Sequence, residues 1–194
     1  MTVRIGILIS GRGSNMDAIV EHIREENAPV NVCFVASDKA SAAGLETARS
    51  KGIPTATVSY KQGRAAAEAE IEKLWQEHKI DLLVLAGFMR LITGDFVSRH
   101  EGRILNIHPA MLPKFPGAHG IEDFWKSGES SSGVTVHIVD AEMDHGPILM
   151  QQEVARTPDD TIETFEAKIH AVEHQLYWRA LKSYIQKLAQ EAQS

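Results

Sequence analysis

Hydrophobic and polar positions along the chain follow two alternating rhythms. Runs that are apolar almost throughout, at residues 4–10, 30–36, 82–86 and 104–108, read as buried strands. Between them apolar residues recur every three or four positions. Met16, Ile19, Val20 and Ile23 predict a helix over residues 16–26. Residues 42–50 predict a second helix, stopped by Lys51-Gly52-Ile53-Pro54, and residues 55–58 a short β-branched strand. The alanine- and glutamate-rich stretch 64–78 is a third helix. The run 82–86 is the most apolar and is expected to be central; residues 96–100 read as a short helix.

Beyond Gly117 the rhythm changes. Residues 121–126 predict a short helix, and 133–139 alternate Val134, Val136 and Ile138 with Thr135, His137 and Val139. Residues 148–154 form another strand, able to pair antiparallel with the preceding one. A long amphipathic helix is expected over residues 161–192, with Ile162, Phe165, Ile169, Val172 and Leu176 on its apolar face. Alternating elements imply an α/β fold: a mostly parallel, Rossmann-like twisted sheet with helices on both faces and antiparallel strands in the C-terminal part. With no repeat, linker or low-complexity segment, one domain over residues 1–194 is expected. Ligands of such sheets bind beyond the carboxyl ends of the strands, here near residues 10–15, 87–92 and 106–109.

Composition narrows the class. The chain has 194 residues, 43% hydrophobic and 24% charged, the profile of a soluble globular protein. No stretch approaches the ~20 apolar residues of a membrane span, and the N-terminal apolar run lacks a signal-type cleavage pattern. The single cysteine, Cys33, cannot form an internal disulfide and reads as a buried, inert thiol. Together these features lead to an expectation of a cytoplasmic protein. A net charge of −6, without a basic run, argues against nucleic-acid binding but leaves room for an anionic small molecule held by local donors.

The candidate chemistry centres on Leu105-Asn106-Ile107-His108-Pro109, followed by Pro113-Lys114-Phe115-Pro116-Gly117. Side chains alternate along a strand, so Asn106 and His108 point the same way. A carboxamide donor beside a titratable base suits acyl chemistry, in which an oxyanion forms and a proton moves. A satisfied core Asn and His at a strand end is an equal reading of these two residues alone. Gly11-Arg12-Gly13-Ser14-Asn15 follows the first strand and opens a helix, where backbone N–H groups can meet a phosphate; a tight turn with a cap is the plainer reading. The loop lacks the third glycine of a dinucleotide site, because Met16 stands there, and it is not a Walker loop. Gly87-Phe88-Met89-Arg90-Leu91-Ile92 could border a flat ring with an acidic tail, or simply pack Phe88 and Met89 in the core. Asp140-Ala141-Glu142-Met143-Asp144-His145-Gly146-Pro147 is either a solvated acidic turn or the source of a carboxylate for His108. His170 and His174 share a helix face, but no third ligand has matching spacing, so no metal is expected.

In order along the chain, Ser10-Gly11-x-Gly13-Ser14-Asn15, Ala86-Gly87-Phe88-Met89-Arg90, Leu105-Asn106-Ile107-His108-Pro109, Leu112-Pro113-x-Phe115-Pro116-Gly117-x-His119, Gly133-x-Thr135-Val136-His137 and Asp144-x-Gly146-Pro147 closely resemble the phosphoribosylglycinamide formyltransferases. The resemblance implies formyl transfer from 10-formyltetrahydrofolate to the amine of glycinamide ribonucleotide, in purine biosynthesis. It implies a catalytic set of Asn106, His108 and Asp144, with His119 and His137 as possible assistants. Asn106 and a protonated His108 would stabilise the oxyanion, and Asp144 would keep that imidazole cationic or help move protons. Gly13, Ser14 and Asn15 would hold the ribonucleotide phosphate, and His170 and Glu173 would meet its sugar. Arg64, Met89, Arg90, Leu91, Ile92, Asn106, Asp140, Ala141, Glu142, Met143 and Asp144 would contact the folate. Ala110 stands where the family commonly has serine, His170 where it often has glutamine, and His145 at a variable position. The expected partners are these two small molecules, with no nucleic acid, membrane or metal, in a monomer or homodimer. A formyltetrahydrofolate hydrolase and a non-catalytic nucleotide-binding sensor module are the alternatives; a sensor would not need the Asn106, His108 and Asp144 set.

Overall fold

The computed structural model describes residues 2–191. Its strands are β1 (Val3–Ile9), β2 (Val30–Ser37), β3 (Thr55–Thr57), β4 (Leu82–Leu85), β5 (Ile104–His108), β6 (Ser131–Ile138) and β7 (Ile148–Ala155). Its helices are α1 (Ser14–Glu25), α2 (Ala43–Ser50), α3 (Arg64–His78), α4 (Gly94–Arg99), α5 (Gly120–Ser127) and α6 (Ile162–Glu191). Every predicted element is present, with ends displaced by up to two residues. The last predicted helical residue, Ala192, lies outside the described residues. The sheet is seven-stranded and mostly parallel, in the order β3-β2-β1-β4-β5-β6-β7, so β4 is central as its apolar run predicts. The chain divides into two compact units, 1–105 and 106–194.

In the first unit β1 pairs in parallel with β2, from Val3 opposite Val30 to Ile9 opposite Ser37, and with β4, from Ile5 opposite Leu82 to Leu8 opposite Leu85. Ile5, Ile7, Leu8, Ile9, Leu82, Leu83 and Val84 are all fully buried, which is why these strands lack polar alternation. Helix α1 buries Met16, Ile19, Val20 and Ile23, the four positions of its sequence period. It starts two residues earlier than predicted, because Gly13 (φ 73°) forms the cap and Ser14 is already helical. Cys33 is buried, and burial pushes its thiol upward.

In the second unit β6 and β7 form the predicted antiparallel pair, from Ser131 opposite Ala155 to His137 opposite Ile148. Helix α6 packs on both strands and on α5. Phe165, Ile169 and Leu176 are buried as predicted, while Ile162 and Val172 are only half-buried. The buried face continues instead through Tyr177, Trp178 and Leu181. Among the described residues no helix is long and apolar enough to cross a membrane.

Candidate active site

Strand β5 buries every residue except Asn106, which is half-buried. His108 and His137 are both nine-tenths or more buried, at the end of β5 and near the end of β6. The connection between β6 and β7 supplies the third partner. Its tip residues Ala141, Glu142, Met143 and His145 are exposed, whereas the Asp144 side chain is only 9% exposed. Asp144 turns inward because its backbone adopts φ 56°, a left-handed conformation that Asp tolerates better than most residues. The acidic loop is thus a solvated turn and a buried carboxylate at once.

Four side chains converge here. Asp144 Oδ2 lies 3.5 Å from His108 Nδ1 and accepts a hydrogen bond from the Gly117 backbone N–H at 2.7 Å. Asp144 Oδ1 lies 3.7 Å from His137 Nε2. The Asn106 amide donates one N–H to His137 Nε2 at 3.3 Å, and His137 Nδ1–H donates to the Ile138 carbonyl at 3.1 Å. Nδ1 of His137 is thus the donor to the backbone, and Nε2 faces both the Asn106 amide and Asp144. Asn106 keeps a second N–H that His137 does not use. His108 Nε2–H donates to the Phe115 carbonyl at 2.7 Å. Burial works to raise the Asp144 carboxyl, but His137, the Gly117 N–H and His108 together hold it below the usual carboxylate range. The site therefore combines a buried negative charge, an imidazole with both nitrogens facing acceptors, and a carboxamide donor on the same strand.

Just beyond β5, Thr135 Oγ1 donates to the Ala110 carbonyl at 2.7 Å and accepts from the Leu112 N–H at 3.1 Å and from Gln151 Nε2 at 2.9 Å. This buried hydroxyl braces the turn that follows His108. Gly120, at the start of α5, lines the site without a sequence signal. A Cβ there would sit 3.0 Å from the Phe115 oxygen and 3.1 Å from His108 Nε2, so a larger residue would push the carbonyl or the imidazole by a few tenths of an ångström.

His119 is exposed at the start of α5, and none of its interactions ties it to this cluster. His145 is likewise outside it: its imidazole bonds Asp140 at 3.2 Å, which with Glu142 raises it above the ordinary histidine range. On α6, His170 Nδ1 lies 2.8 Å from Glu173 Oε2 and Nε2 lies 3.4 Å from Glu166 Oε1. The Glu173 hydrogen bond holds His170 above its ordinary range, against the opposing effect of partial burial. A raised histidine stabilises the fold fully below its unfolded value, about 6.5, and loses that stabilisation as pH rises through the higher folded value. His170 is part-exposed, so the effect is small, about 0.5 kcal/mol. We expect His170→Gln to melt lower than the parent near pH ~6 and to match it near pH ~9. A melting-temperature difference independent of pH would contradict this assignment of the ion pair.

In the first unit, the segment after β4 resolves its two readings residue by residue. Phe88 is buried, but Met89 is 68% exposed and Leu91 52% exposed. Three contacts fasten this segment. The Met89 N–H donates to Ser10 Oγ at 2.8 Å. Arg90 Nε donates to Asp38 Oδ2 at 2.7 Å, with its guanidinium 4.9 Å from the Tyr60 ring centroid. Glu68 Oε1 accepts from the Thr93 N–H and Oε2 from the Thr93 hydroxyl, both at 2.6 Å. Burial pushes the Tyr60 phenol up to about 12, helped by Glu68 and Asp38. Ile92 is half-buried and Arg64, the first residue of α3, is exposed. At the start of α1, the cap residue Gly13 has no side-chain cap bond, Asn15 is buried, and the Gly13 carbonyl accepts from the Asp17 N–H at 2.9 Å. Among the described residues no group of three or more His, Cys, Asp or Glu side chains could hold a metal ion.

Known proteins share this sequence and architecture. The formyl transferase family model matches residues 3–181. The phosphoribosylglycinamide formyltransferase of Bacillus subtilis is 37% identical over 185 residues, covering 94% of each chain. The crystal structure of phosphoribosylglycinamide formyltransferase from Bacillus halodurans superimposes with a TM-score of 0.91 at 39% identity, covering 95% of this chain and 96% of that one. The trifunctional purine biosynthetic protein adenosine-3 of Bos taurus is 38% identical over 181 residues, 92% of this chain, which spans 18% of that protein's length. With the fold, its motifs and the two full-length Bacillus likenesses in agreement, the chain belongs to the phosphoribosylglycinamide formyltransferase family.

Proposed function

We propose that this chain transfers the formyl group of 10-formyltetrahydrofolate to the primary amine of glycinamide ribonucleotide, a step of purine biosynthesis. The observation that carries the proposal is the buried cluster of Asn106, His108, His137 and Asp144 within one unit. In the reaction the amine nitrogen attacks the formyl carbon and the carbonyl oxygen becomes an oxyanion. The Asn106 N–H that His137 does not use and, when His108 is protonated, its Nδ1–H supply donors for that oxygen. The ionised Asp144 compensates positive charge on His108 while the proton released by the amine travels to the departing N10 of the folate. The C–N10 bond breaks, giving a formamide and tetrahydrofolate. The chain supplies no covalent nucleophile; holding two reactants in line supplies much of the rate.

The remaining assignments follow the family resemblance. Gly13, Ser14 and Asn15 hold the ribonucleotide phosphate, as backbone donors at a helix start can, and His170 and Glu173 meet the sugar. Arg64, Met89, Arg90, Leu91 and Ile92, with Asp140, Ala141, Glu142, Met143 and Asp144, receive the folate. His119 is a weaker assistant than His137, which touches the catalytic side chains. The protein acts as a formyltransferase in the cytoplasm, as a monomer or homodimer.

The test follows folate absorbance when the protein meets 10-formyltetrahydrofolate with and without glycinamide ribonucleotide. Deformylation should require the amine and yield the formylated ribonucleotide. Deformylation at the same rate without the amine would replace this reading with that of a hydrolase.

A further inference from the structure

We infer that Phe115 is a positioning residue for His108, and that its backbone carbonyl decides which imidazole nitrogen does the work; as a statement about catalysis this rests on the formyl-transfer reading. A carbonyl oxygen only accepts, so the 2.7 Å contact with Phe115 requires a proton on Nε2 of His108. The nitrogen left to exchange a proton is Nδ1, which faces Asp144 at 3.5 Å. The Phe115 carbonyl thereby fixes the tautomer and the rotation of the ring.

Phe115 holds its carbonyl there at a conformational cost. Its φ is 52°, in the left-handed region that a bulky residue seldom occupies. Its side chain accounts for the persistence of that conformation. The Phe115 ring meets the edge of Phe124, with centroids 5.9 Å apart at 76°, and Phe124 stacks on Phe165 at 4.7 Å and 30°. Phe124 and Phe165 are fully buried, so the rings tie Phe115, whose carbonyl meets the His108 imidazole, to the core. Gly120 closes the arrangement from the other side, where a Cβ would press on both the Phe115 oxygen and His108 Nε2.

The test compares two truncations. Phe115→Ala removes the ring but keeps a Cβ, so the left-handed backbone loses its support. Phe115→Gly removes the same ring and also the conformational penalty. Phe115→Ala should lower kcat roughly tenfold with little change in KM for either substrate, and Phe115→Gly should recover to within about threefold of the parent. In ¹⁵N spectra of the histidine side chains, His108 should show a protonated Nε2 in the parent and a mixture of tautomers in Phe115→Ala. Gly120→Ala should reproduce that mixture by displacing the carbonyl. Equal losses in the alanine and glycine variants, or an unchanged His108 ring signal in Phe115→Ala and Gly120→Ala, would overturn the inference. A parent protein that forms no formylated ribonucleotide would defeat the formyl-transfer reading, while the ring signals would still decide whether Phe115 sets the tautomer.

Discussion

Asp144→Asn and His108→Asn are each expected to lower turnover of formyl transfer by about 100-fold or more, equivalent to roughly 2.7 kcal/mol of transition-state stabilisation. Asparagine has the shape of aspartate and can still accept the Gly117 N–H, so the Asp144→Asn variant removes charge rather than fold. The charge is present throughout the neutral range, because His137, the Gly117 N–H and His108 outweigh the effect of burial on the carboxyl. Without it, positive charge on His108 has no compensating partner in a buried site. His108→Asn removes the imidazole and its contacts to both Asp144 and the Phe115 carbonyl. Steady-state rates with both substrates saturating, alongside melting curves, separate lost chemistry from lost structure. Near-parental turnover in both variants would place the reaction elsewhere. A depressed carboxyl also stabilises the fold above its unfolded value of about 4, and that contribution is lost as pH falls through the folded value. Asp144→Asn should therefore flatten the acid side of the stability profile.

Gly146→Ala is expected to destabilise the protein by about 3 kcal/mol and to depress activity as well. A Cβ at this position would lie 1.8 Å from the Ile138 carbonyl oxygen, with the Asp140 nitrogen also close at 3.2 Å. The obstruction is backbone, which cannot swing aside as a side chain can. The Ile138 carbonyl also accepts from His137 Nδ1, and the Ile138 N–H donates to the Pro147 carbonyl at 2.9 Å. Displacing that peptide therefore disturbs the β6–β7 pairing, the His137 tautomer and the loop that carries Asp144. Urea unfolding measures the loss. An unchanged midpoint with parental activity would show that the loop yields freely.

Elements were legible in the sequence where burial is periodic and local. The stripe of α1 and the continuous apolar runs of β1 and β4 needed no tertiary information. The apolar face of α6 was less legible: its buried continuation at Tyr177 and Trp178 departs from the period read at 162–176. At the site, Asn106 and His108 could be paired by strand alternation alone. The loop around Asp144 could be offered as a carboxylate source for His108, but a solvated turn stayed open beside it until the family resemblance, because 36 residues separate Asp144 from His108. Gly120 and the Phe115 carbonyl carried no signal, since a backbone oxygen has no identity in a sequence and a close approach is known only from both partners. Asp38 was also missed: it meets Arg90 across 52 residues, and nothing around it marks it as other than a turn residue.

The fastening of residues 89–93 bears on how a ligand would bind there. Exposed apolar side chains on a free loop must be ordered when a ligand arrives, and each immobilised side chain costs about 0.5–1.5 kcal/mol. Here Ser10, Asp38 and Glu68 hold the backbone at Met89 and Thr93 and the side chain of Arg90. Much of that ordering cost has already been met during folding, through polar contacts that leave the Met89 and Leu91 side chains exposed. The segment presents its exposed apolar surface preorganised, so a planar ligand laid against it would keep most of its contact energy as affinity.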